Sequence, residues 1–116
     1  MTELVLDRKV LLKNLENDAE FLKTLIGIFM TDWPGMLADM RSAVTARNSS
    51  QVISASHALR GSVSIFGAQS AVEAVRTLEY MGQQDKFGEI DQALCAVERE
   101  MALVLLALEE IAKETA

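Results

Sequence analysis

An all-α fold, an antiparallel up-and-down four-helix bundle with additional N-terminal helical segments, is predicted by three observations. Half of the residues are apolar but only 5% are aromatic, and the apolar set is Leu, Val, Ala, Met and Ile, a mixture suited to helices more than strands. These residues recur at spacings of three and four over long stretches. Punctuation is sparse, with one proline and six glycines, most of them where a helix would end. At 116 residues the chain has the size of one domain, 1–116, with its core over roughly 7–113.

Residues 7–15 read as a short helix that covers one end of the bundle. In "NDAEFLKTLIGIFMTDW" a cap-like pair, Asn17 and Glu20, precedes an apolar face of Leu22, Leu25, Ile26 and Phe29. Trp33-Pro34 is expected to interrupt that helix, because proline restricts the residue before it and lacks the N–H that continues the ladder. Pro34 then suits the first turn of a following helix that carries Leu37, Met40 and Val44. "RNSS" ends it and offers Ser49 or Ser50 as the next cap. The next helix runs from about 50 to 66, with Gly67 placed to terminate it. Another, about 68 to 82, carries Ala71, Val72, Val75 and Leu78 and closes at Gly82.

Asp85 is positioned to cap the last helix. Its apolar residues are Phe87, Ile90, Leu94, Val97, Met101, Val104, Leu108 and Ile111, with spacings that alternate three and four. That is the seam of a bundle or coiled-coil helix. At 1.5 Å per residue such a run is about 40 Å long, long enough to project beyond the bundle or to pack on another chain. Short connections make neighbouring helices antiparallel.

Several function classes are excluded. The formal charge of −6 argues against nucleic acid and against an anionic membrane surface, since phosphate groups call for clustered Lys and Arg. Cys95, the one cysteine, makes no internal disulfide and reads as a reduced, buried thiol on an apolar stripe. "MTELVLDRKV" mixes charges with apolar residues and is no signal peptide. "MALVLLAL", residues 101–108, is far short of a membrane span. A soluble cytoplasmic module without direct membrane contact is expected.

"SHALRGSVSIFG", residues 56–67, holds the one histidine. On a helical wheel Val52, Ala55, Leu59, Val63 and Phe66 point away from His57, towards the core. His57, Arg60, Gly61 and Ser64 share the outward face, as residues at i, i+3, i+4 and i+7 must. No second histidine or nearby thiol completes a zinc site, and no nucleophile is visibly paired with His57 as in a Ser-His-Asp triad. Glycine inside a helix costs about 1 kcal/mol relative to alanine. Gly61, one turn from His57, leaves bare backbone there, and Ser64 is small as well. The result is an open landing area to which something bulky comes.

Across the turn at Gly67, His57 and Glu79 lie about 14–16 Å from the connection. On antiparallel helices packed about 8–10 Å apart their side chains can meet. Glu79 would then accept a hydrogen bond from Nδ1–H and leave the Nε2 lone pair free. A solvated Glu79 on a polar face fits the sequence equally well.

The run "HALRGSVSIFGA", followed by "AVEAVRTLEYMG", resembles the histidine-containing phosphotransfer domains of bacterial and fungal phosphorelays. Their pattern is matched at His57, Leu59, Arg60, Gly61, Ser62, Gly67, Leu78 and Glu79, and "FLKTLIGIFMTDWPGMLADMRSAV" is similar to the helices that precede the histidine. The resemblance extends over roughly residues 7–110. Two positions depart from it: Arg60 stands where lysine is usual, and Glu79 where glutamine is frequent. It implies that His57 is phosphorylated and carries the group between receiver-domain aspartates. It also implies that Arg60 stabilises the phosphoryl charge and Glu79 orients the imidazole, while Gly61 and Ser64 admit the receiver and Ile53 and Ile65, which flank His57 on the wheel, serve docking or else pack under neighbouring helices. The implied partners are response-regulator receiver domains and a hybrid sensor histidine kinase, with no cofactor held by this chain and Mg2+ in the receiver. Two other roles share the resemblance: the phosphorylatable domain of a chemotaxis-type kinase, and a helical bundle that binds receivers without being phosphorylated. No nucleotide-binding glycine loop occurs, so autonomous kinase activity is not expected.

Overall fold

Helix formation follows the apolar spacing closely, and the computed structural model contains four long helices: α1 (Ala19–Thr45), α2 (Ser49–Ile65), α3 (Gln69–Gln83) and α4 (Ile90–Glu114). A 3-10 turn, Phe87–Glu89, leads into α4. The structure describes Leu6, Leu11, Lys13, Leu15 and residues 18–114. Most of the short helix expected over 7–15 lies outside the described residues, although Leu11 and Lys13 are helical and the Leu15 N–H donates to the Leu11 carbonyl. No strand occurs among the described residues.

The connections are short because each of the first three helices stops in a left-handed residue that reverses the chain. At Arg47, Gly67 and Asp85 φ is 53°, 69° and 53°. After each, the next N–H reaches back five residues: Asn48 to Ala43, Ala68 to Val63, Lys86 to Met81. This is the Schellman stop. Two of the three left-handed residues are not glycine, a conformation that costs about 1–2 kcal/mol. Side-chain bonds accompany both. The Arg47 guanidinium donates to the Val44 carbonyl at 2.8 Å and to both carboxylate oxygens of Asp91. The Ser49 hydroxyl donates to Asp85. Hydrogen bonding from Arg47 also holds the Asp91 carboxyl below its ordinary range, and Arg41 pairs with Glu98 along the same α1–α4 seam.

Each helix packs on its two neighbours in the order α1, α2, α3, α4 and back to α1, which closes the bundle. The interior is one cluster that includes Leu22, Phe29, Trp33, Met40, Leu59, Leu78, Met101 and Leu108, with Leu6 and Leu11 in it as well. Phe29 stacks on Trp33 and meets Phe66 edge-on, with ring centroids 6.1 and 5.6 Å apart.

Six sequence expectations need correction. Pro34 does not divide α1: the helix runs through it. Phe29 and Trp33 before it and Met40 after it are buried on one continuous face, while Pro34 is exposed, so the missing hydrogen bond falls on the solvent side. Asp18, not the Asn17 pair, caps α1 by accepting from the Phe21 N–H at 2.9 Å. Asn48, rather than Ser49 or Ser50, caps α2 by accepting from Gln51. Asp85 ends α3 and does not cap the last helix.

The last two corrections concern α4 and its cysteine. The helix does not project, because its stripe stays buried to Ile111 within this chain. Cys95 is exposed; it follows Leu94 by one position, 100° off the buried stripe. Among the described residues no helix is long and apolar enough to cross a membrane.

Candidate functional site

On α2 the wheel separates two faces. Val52, Leu59 and Val63 are buried, and Phe66 just beyond the helix is buried too. The opposite face carries His57, Gly61 and Ser64, all exposed. The His57 side chain is 73% exposed. A Cβ added to Gly61 would meet nothing within 4 Å, so open space surrounds that backbone.

Gly82 sets the register that brings α3 to this face. It is buried one residue before α3 ends at Gln83, and an added Cβ would sit 2.8 Å from Val52 Cγ1 and 3.4 Å from Ile53 Cγ1. Only a residue without a side chain permits that approach. The helices run antiparallel, so three residues back along α3 from Gly82 corresponds to one turn forward along α2 from Val52 and Ile53. That step places Glu79 beside His57 and Arg60.

The three side chains converge there. Glu79 is buried, with 9% of its side chain accessible, and Arg60 is about one-third exposed. The guanidinium Nη1 lies 3.4 Å from Glu79 Oε1, and Nη2 lies 3.1 Å from His57 Nδ1. A carboxylate taken out of water needs such a counter-charge. The hydrogen bond expected between Nδ1–H and Glu79 is not formed: Glu79 Oε2 is 3.8 Å from Nδ1. Arg60, one turn beyond His57 on the same helix, occupies Nδ1 instead.

Of the remaining predicted residues, Ile65 is exposed on the α1 side of α2. There it joins Leu25, Ile28 and Met36 of α1 along an apolar groove. Ile53 is half-buried and turned to α3, next to Gly82. The sequence reading missed Ile28, which is large, apolar and off the buried stripe of α1; that displacement is a signal a wheel can show. It also missed Ser56, fully buried with an Oγ that has no partner. Among the described residues no group of three His, Cys, Asp or Glu side chains is arranged to hold a metal.

Chemically, this arrangement presents one imidazole to solvent, with a cation and a buried anion on its inner side. The family model of the Hpt domain matches residues 24–114. No curated protein sequence matches the chain. The fold is similar to the crystal structure of histidine-containing phosphotransfer protein B from Pseudomonas aeruginosa PAO1, with a TM-score of 0.88, 20% sequence identity, and coverage of 97% of this chain and 98% of that one.

Proposed function

Because the chain belongs to the Hpt domain family and exposes its one imidazole beside bare backbone, we propose that it is a phosphorelay intermediate that carries a phosphoryl group on His57 between receiver-domain aspartates. The observation that carries this reading is the conjunction of exposed His57, open Gly61 and the Arg60–Glu79 pair on the inner side of the ring.

Phosphoryl transfer passes through a loose, in-line transition state, so placement and charge supply most of the catalysis. The Nε2 lone pair forms the bond to phosphorus as the bond to the aspartyl oxygen breaks, and the electron pair leaves with the carboxylate. Return to a second receiver is the same step reversed. Arg60 is near enough for its guanidinium to take up phosphoryl oxygens, which planar N–H pairs bind in two-point fashion. Glu79 balances the positive charge that the ring acquires. Gly61 and Ser64 admit the receiver's loops, and Ile65 supplies an apolar docking contact. Mg2+ belongs to the receiver's acidic pocket and is not held by this chain.

The test is transfer from a panel of receiver domains charged with a small-molecule phosphodonor. Label on this chain that is acid-labile and base-stable supports the reading. Receiver binding without any label reduces the protein to a docking bundle.

A further inference from the structure

The Nδ1 contact has a consequence for the imidazole proton. A guanidinium has donors only, so its approach to 3.1 Å from Nδ1 requires a lone pair there. A neutral imidazole has one N–H, and with Nδ1 accepting, that proton sits on Nε2. An Nε2 that carries a proton has no in-plane lone pair with which to attack phosphorus. The geometry points to Arg60 as a tautomer latch: in the unphosphorylated protein it holds His57 in the form that cannot react. This rests on the phosphotransfer reading for its purpose but not for its measurement.

Two arrangements of the triad are available. In the first, described here, Arg60 spans His57 and Glu79, with one nitrogen on each. In the second, Arg60 swings to the oxygens of an incoming phosphoryl group, which compete well for a guanidinium. Nδ1 is then vacant, and Glu79 Oε2, at 3.8 Å, is the nearest acceptor for a proton there. The ring proton leaves Nε2 to water, and Nδ1 takes one up from water, keeps it, and hydrogen-bonds through it to the Glu79 carboxylate. Nε2 now has its lone pair, forms the N–P bond as the aspartyl O–P bond breaks, and the cationic ring faces the buried carboxylate. Arg60 therefore acts as a positioning residue through the ring before it touches any phosphate. A lysine, with one compact ammonium in place of two separated nitrogens, does not span both partners in this way.

Two-bond 1H–15N spectra of the ring, at a pH where it is neutral, report which nitrogen carries the proton. The expected pattern is Nε2–H in the unmodified protein, Nε2–H in Glu79→Gln, and a change to Nδ1–H in Arg60→Met, where Glu79 becomes the partner. A dominant Nδ1–H form in the unmodified protein overturns the latch, and this result needs no variant to fold. An unchanged Nε2–H form in a folded Arg60→Met protein overturns it as well. Failure of receiver labelling with the expected tautomers would instead remove the phosphotransfer reading and leave the latch standing.

Discussion

His57, Arg60 and Glu79 differ sharply in exposure, and that difference is what makes them a site. The carboxylate is buried, the guanidinium is at the boundary and the imidazole is in solvent. A wheel drawn on the sequence shows the outward histidine, since periodicity fixes direction. It does not show that Arg60 reaches Nδ1 before Glu79 does, because a long side chain chooses among rotamers according to what surrounds it. Ser56 was equally illegible: a serine next to a histidine is unremarkable until its burial is known. Replacing Glu79 by alanine removes the anion that faces the ring in the reactive form. Transfer in Glu79→Ala is expected to slow about tenfold or more, equivalent to about 1.4 kcal/mol of barrier, without being lost. Rapid-quench kinetics with a charged receiver measure it, and unchanged rates count against the carboxylate's role.

At the scale of elements, two glycines of opposite environment test opposite effects. Gly61 faces open space, so Gly61→Gln gains helix propensity, up to about 1 kcal/mol, while its bulk blocks docking. Denaturant melting should show equal or higher stability and a titration should show lost receiver binding; retained binding contradicts the landing-area argument. A Cβ added at Gly82 would sit 2.8 Å from Val52 Cγ1. In Gly82→Ala the crowding costs about 1–3 kcal/mol, more than the propensity gained, and α3 must move away from α2. Lower stability together with slower transfer is expected, because Glu79 travels with α3; a stabilised variant would show that Val52 yields freely. The sequence suggested a helix end at Gly82, and α3 does end one residue later at Gln83; that the same glycine is also a close contact is something only packing reveals. Pro34 misled for a related reason. Its local penalty of about 3 kcal/mol is outweighed when aromatic and methionine side chains on both sides share one buried face.

For the molecule as a whole, the three-and-four rhythm of Ile90 to Ile111 made the bundle legible, and the short connections gave its antiparallel course. What the rhythm left open was the partner of that stripe. It is the chain's own core to the end: Leu108 is fully buried, whereas Leu106 two positions earlier is 60% exposed. Leu108→Ala should therefore cost about 2–5 kcal/mol, and Leu106→Ala no more than about 0.5 kcal/mol. Equal, small effects in chemical denaturation would mean that the end of α4 stands apart from the core. The chain reversals at Arg47 and Asp85 were less legible, because arginine carries no preference for a left-handed turn and aspartate only a modest one.

The most direct test of the central claim is radiolabel transfer from a phosphorylated receiver domain to this protein and to its His57→Gln variant, with circular dichroism to verify that both are folded. Label is expected on the unmodified chain and none on the variant. A folded His57→Gln protein that takes up label at the normal rate would contradict it.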